Sequence, residues 1–150
     1  MFVRTATIQD LGTLVDFGKR LTQESVNFKH QGFDEDRAIQ LFSHLINKFE
    51  SVFLVCDEYS NPVGGLIGCI DVDWRTNQRL AFEQGVYVLP EYRATGAGSE
   101  LIQHFIEWAK LNNADRIQLG TITGIKAERT ISLYESLGFE LTGYVLEMRV

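Results

Sequence analysis

Two spacings of apolar side chains alternate along this chain, one of three to four residues and one of two, and together they predict its elements. Phe2 to Ala6 reads as a short strand. Thr7-Ile8-Gln9-Asp10 then resembles a capping box, with a side-chain oxygen at each end to satisfy orphan amides. Leu11, Leu14, Val15, Gly18 and Leu21 form one face of a helix that fades near Ser25. A loop from Asn27 to Phe33 follows. Asp34-Glu35-Asp36 favours the positive end of a second helix, whose stripe is Ala38, Leu41, Phe42, Leu45, Ile46 and Phe49. After Glu50 the period becomes that of strands: Val52 to Asp57, a turn over residues 59–62, then Val63 to Asp73, a turn over 74–78, and Arg79 to Leu89. Two successive antiparallel hairpins are implied. Beyond them the order is helix (Gly96 to Leu111), strand (Arg116 to Gly120), helix (Lys126 to Leu137), and a final segment, Phe139 to Val150, expected as one bent strand or two short ones.

Composition narrows what such an α/β chain does. Its 150 residues suit one domain, 1–150, and 45% hydrophobic against 23% charged residues provides a real core. No repeat or linker interrupts it. The longest apolar run is too short for a membrane span, and Met1 to Thr5 shows no secretory signal. Lys plus Arg number 14 against 20 Asp plus Glu, a net charge of −6, and no basic cluster is present, so nucleic-acid binding is not expected. A cationic partner suits the balance. Cys56 and Cys69 lie within strands and lack ligand spacing, as do His30, His44 and His104, so a cytoplasmic protein with reduced thiols and no metal is expected.

The stretch with chemical content runs from Gly85 to Ser99: a strand, a short turn, then Gly96 and Gly98 opening an amphipathic helix. The first turn of a helix leaves amides unpaired, and glycines let a bulky diphosphate approach them. Arg93 stands just before, as a fixed positive charge. Spacing alone is equally compatible with a tight turn and close helix packing. A Walker loop is excluded, because Ser99-Glu100 follows the last glycine in place of Lys-Ser/Thr. The antiparallel hairpins argue against a dinucleotide fold.

Arg93-x-x-Gly96-x-Gly98, following Val86-Tyr87-Val88-Leu89-Pro90-Glu91-Tyr92, resembles the acetyl-CoA motif of the GNAT superfamily of N-acetyltransferases. Leu133-Tyr134-Glu135-Ser136-Leu137-Gly138-Phe139 is similar to the family's second motif, and the order of elements agrees along nearly the whole chain. The resemblance implies a mixed, mostly antiparallel sheet of six or seven strands, splayed between the fourth and fifth and flanked by about four helices, with coenzyme A in the gap. It further implies that the amides of Thr95, Gly96, Ala97, Gly98 and Ser99, with Ala94 and the Arg93 side chain, hold the pyrophosphate. Val86 and Val88 would pair with the pantetheine arm, and an amide near Val86 or Tyr87 would polarise the thioester carbonyl.

The same resemblance makes Glu83 the first choice for the base, or for an anchor of the cationic amine, and Tyr134 the acid that meets the departing thiolate. Gly85 marks a candidate bulge, which would change the faces that its neighbours present. The acceptor site falls to the first two helices and the turn between the third and fourth strands, with Phe28, Phe33, Asp71, Asp73 and Trp74 as candidates; aromatic faces and carboxylates suit a cation. One departure from the family stands out: Ala127 replaces a usual asparagine. Residues 82–93 also resemble aminoglycoside 6'-N-acetyltransferases. Acetyl transfer to a primary amine, small molecule or protein, is therefore expected, in a protein that admits a homodimer. The alternative is a non-catalytic acyl-CoA-binding module that controls a partner.

Overall fold

The computed structural model describes residues 1–150. A five-stranded mixed sheet carries helices on both faces, in the order β1 (Phe2–Thr5), α1 (Leu11–Glu24), α2 (Glu35–His44), β2 (Val52–Cys56), β3 (Pro62–Val72), β4 (Arg79–Val88), α3 (Ala97–Leu111), β5 (Arg116–Gln118) and α4 (Ala127–Ser136). Neighbours in the sheet follow chain order, antiparallel from β1 to β4 and parallel between β4 and β5. The mixed α/β class is the expected one.

Each local device named by the sequence has a visible cause. Thr7 accepts from the Gln9 amide while the Asp10 carboxylate accepts from the Thr7 amide at 2.8 Å, closing the capping box, and Arg4 anchors Asp10 with two further bonds. Asp34 caps α2 by accepting from the Arg37 amide. The apolar stripe beyond His44 continues as a wider π-turn, Leu45–Phe49, that keeps Leu45 and Ile46 buried. All five residues of β2 are buried, because both faces of the sheet are covered. On one face Leu14, Phe17, Phe42 and Leu45 form a core beneath α1 and α2; on the other Phe53, Leu101, Phe105 and Trp108 pack under α3. Gly68 permits that second contact, since a Cβ there would stand 2.6 Å from the Phe105 ring. Cys56 and Cys69 are unpaired. No helix is long and apolar enough to cross a membrane.

Three features differ from expectation. The sheet has five strands, where six or seven were expected, because Phe139–Val150 joins no ladder; Tyr144 is 85% and Leu146 91% exposed. Second, β5 ends at Gln118, two residues early. Third, the bulge in β4 lies at Gln84: Ile67 faces Gly85 while Gly68 faces Glu83, leaving Gln84 without a partner.

Candidate active site

Ladder pairing between β4 and β5 covers only Leu80–Phe82 and Arg116–Gln118, and from there the strands part. The opening is a cavity of about 690 Å³, within the range of small-molecule sites. Its walls include Glu83, Val86, Tyr87, Val88, Arg93, Ala94, Gly96, Gly98 and Ser99 from the β4–α3 side, and Leu133 and Tyr134 from α4. Thr95 and Ala97 belong to the same turn but do not line it; the Thr95 hydroxyl donates to the Tyr92 carbonyl, and Ala97 is buried under the sheet.

The turn that opens α3 is shaped for an anion. Gly96 caps the helix at φ +93°, a left-handed conformation that suits glycine, and Ala94 also has positive φ at +66°. Glu100 is the first residue to donate back along the chain, to the Gly96 carbonyl at 3.0 Å, so the amides of Ala97, Gly98 and Ser99 precede the first intrahelical bond. Their partial positive charge adds to the helix dipole.

Arg93 is placed differently from a free cation. Its Nε donates to the Val88 carbonyl at 2.9 Å, its two terminal nitrogens grip the Glu24 carboxylate, one at 2.7 Å, and its guanidinium lies 5.4 Å from the Tyr87 ring centre. Hydrogen bonds from Arg93 hold the Glu24 carboxyl below the usual carboxylate range. Two cations that the sequence reading passed over, Lys126 and Arg129 at the start of α4, also line the cavity, and neither is in an ion pair. Their three-residue spacing at a helix start was the available signal.

Glu83 and Tyr134 face the cavity together. The Glu83 carboxylate accepts from the Gly120 amide at 2.9 Å, the one direct link across the split beyond the ladder at this level. Burial pushes its pKa up, partly offset by that bond. Burial also pushes the Tyr134 phenol above its usual range, and the nearby Glu83 charge adds to the effect, so the hydroxyl stays protonated and available as a donor.

The chain closes the split from α1. Ser25, fully buried, donates to the Thr123 carbonyl at 2.5 Å and accepts from the Phe28 amide, while Asn27 donates to Ile122 at 2.6 Å. With Glu24 on Arg93, residues 24–27 therefore tie both lips of the opening. Nothing in the hydrophobic pattern marked them, since polar side chains reaching 69 to 98 residues along the chain leave no local signature.

Of the acceptor candidates only Phe28 lines the cavity. Phe33 packs on Gly18 and the core under α1. Asp73 is buried in the β3–β4 turn, where it accepts from the Arg75 amide and pairs with Arg116; Asp71 caps the Val72 amide, and Trp74 is 91% exposed. Those three stand apart from the opening.

This architecture has relatives. The acetyltransferase (GNAT) family model matches residues 19–139. The chain belongs to that family. It is 32% identical over 102 residues, 66% of its length, to an uncharacterised N-acetyltransferase of Methanocaldococcus jannaschii, covering 43% of that protein. Over 67 residues, 45% of this chain and 44% of the relative, it is 31% identical to the aminoglycoside N(6')-acetyltransferase type 1 of Acinetobacter genomosp. 13. These matches span less than half the length of the curated relatives. Among solved structures, an integron cassette protein from the mobile metagenome of Cole Harbour Salt Marsh shares the GNAT member's fold, with a TM-score of 0.78 at 22% identity over 99% of this chain and 89% of that one.

Proposed function

We propose that this GNAT protein is an N-acetyltransferase that moves the acetyl group of acetyl-CoA directly to a primary amine. The observation that carries the reading is the helix-opening turn at Gly96–Ser99, set at the end of β4 beside a cavity with Glu83 and Tyr134 on its wall. Acetyl-CoA brings an activated acyl group; the protein must place it, deprotonate the amine and protonate the sulfur. The amides of Ala97, Gly98 and Ser99 are suited to the diphosphate, with Lys126 and Arg129 as nearby cations. Arg93, already committed to Glu24 and Val88, holds the turn against α1 as well as lending charge.

An alkylamine with a pKa near about 10.4 arrives protonated, and only its neutral form attacks. Glu83, with its raised pKa, is the base or the end of a water path to it. Tyr134, from α4, donates a hydrogen bond to the departing thiolate or protonates it. The acceptor enters past Phe28, where an aromatic face and the chain's net negative charge favour a cation. Its class is small polyamine-like or aminoglycoside-like amines, in line with the aminoglycoside N(6')-acetyltransferase relative, or a protein amine. The exposed apolar tail around Tyr144 and Leu146 supports a homodimer, and the two unpaired thiols suit a cytoplasmic setting.

Thiol release from acetyl-CoA across an amine panel tests the assignment. Release that needs both substrates supports it. Tight coenzyme binding with no release across the panel favours the regulatory module.

A further inference from the structure

The segment 119–126 joins β5 to α4 without regular structure, so its path is set by what it touches. Leu119 packs on the core under α3 and fixes its start. Further along, the carbonyls of Ile122 and Thr123 accept from Asn27 and Ser25, just past α1, at 2.6 and 2.5 Å. The approach is close: at Gly124, φ +73°, a Cβ would stand 2.8 Å from Val26 Cγ2 and 3.2 Å from Asn27 Nδ2. Between these two anchorages lies Gly120, whose amide donates to the Glu83 carboxylate at 2.9 Å. Glycine has the widest choice of backbone directions, so its own residue type does not keep that amide on target.

Ser25 supplies the second anchor from inside the fold. Fully buried, its hydroxyl donates to the Thr123 carbonyl and accepts from the Phe28 amide at 3.1 Å. A buried hydroxyl with both roles filled by main chain has one orientation and transmits a fixed position. The same group therefore sets Phe28 on the cavity wall and, through the chain from Thr123 back to Gly120, the amide that meets Glu83.

We propose that Ser25 and Asn27 are positioning residues for the reaction: by holding the carbonyls of Thr123 and Ile122 they aim the Gly120 amide at Glu83 and so fix the carboxylate toward the amine. The inference rests on the role given to Glu83 under Proposed function. The amide favours the ionised carboxylate, the form that accepts the amine's proton, and so opposes the effect of burial. Charged side chains do not compete with it. Gly68 faces Glu83 across the β3–β4 ladder, α1 and α3 present uncharged residues to the cavity, and Tyr134 of α4 is the titratable neighbour. The cations Arg93, Lys126 and Arg129 line the same cavity without bearing on the Glu83 carboxyl.

Ser25→Ala removes the buried hydroxyl and Asn27→Ala the exposed amide, and each is compared with the parent. The Glu83 carboxyl is titrated by carbon-13 NMR in the unliganded protein, its signal assigned by its loss in Glu83→Gln. Both variants should titrate at higher pH than the parent, because burial then acts with less opposition. At pH 7 the kcat of Ser25→Ala should fall about ten- to a hundredfold, and its rise with pH should move the same way, while the calorimetric Kd of acetyl-CoA stays within about twofold. In the Glu83→Gln background the same substitution should cost less than about threefold, since the group it positions is gone. Ser25→Thr, which keeps the hydroxyl, should retain most of the parent's kcat. Should Ser25→Ala not fold, Asn27→Ala, at an exposed side chain, gives the same readings. An unmoved carboxyl titration, or an equal fractional loss of kcat with and without Glu83, overturns the inference while leaving acetyl transfer standing. A parent that turns over no amine fails the acetyltransferase reading instead, and the titration, which needs no substrate, tells that failure from an idle Ser25.

Discussion

Replacing Gly98 by alanine separates coenzyme binding from folding, because the two respond in opposite directions. Gly98 is the second residue of α3 and lines the large cavity. A Cβ at this position meets only Leu133 Cδ2, at 3.6 Å, an ordinary contact, so nothing in the fold resists the methyl group. Its φ is not left-handed, and alanine stabilises a helix over glycine by up to about 0.5–1 kcal/mol. In a chain of this size that corresponds to a rise in Tm of about 1–4 °C. On the proposed reading the same methyl stands where the diphosphate approaches the amides. Loss of one charge-assisted hydrogen bond costs about 1.5–3 kcal/mol, or about ten- to 150-fold in Kd for coenzyme A. Thermal unfolding and calorimetric titration of the same preparation give both numbers. A higher Tm with an unchanged Kd refutes the diphosphate cradle; a lower Tm would mean that Gly98 serves packing.

Three further expectations follow from the site. Glu83→Gln removes the proposed base but keeps an oxygen to accept from Gly120; kcat should fall about 10²–10⁴-fold and lose its rise with pH through the elevated carboxyl pKa. Because burial disfavours the Glu83 charge in the folded state, the parent loses stability as pH rises through that pKa, and the variant should match or exceed its Tm at pH 7. Tyr134→Phe should slow release of the thiol by about ten- to a hundredfold without changing coenzyme Kd, since a thiolate with a pKa of about 8.5 leaves readily even unassisted; an unaltered kcat would remove Tyr134 from the reaction. Glu24→Gln breaks a partly exposed two-point ion pair and should cost about 1 kcal/mol at pH 7. Its carboxyl pKa is lowered in the folded protein, so the difference between parent and variant persists above the ordinary carboxylate range and disappears as acid protonates Glu24. Urea unfolding at pH 7 and below pH 4 measures that loss.

Periodicity located every helix and the first five strands, because burial of one face imprints a repeat of 3.6 or 2 on the residues themselves. The glycine-opened helix after β4 was legible for the same reason: cap, φ and amide supply are properties of a few adjacent residues. So were Glu83 and Tyr134 as members of familiar motifs, although not their meeting on one wall. What the sequence could not express is long-range and polar. Asp73 looked like an acceptor carboxylate until Arg116, far along the chain, turned it into a turn anchor. Arg93 looked like a free cation until folding brought Glu24 to it, and Lys126 with Arg129 line the opening beside it. Phe139 to Val150 read as one bent strand or two short ones, but no ladder forms there. A strand exists only with a partner that has hydrogen-bonding groups to spare, and that availability is set by the whole fold, not by the strand's own residues.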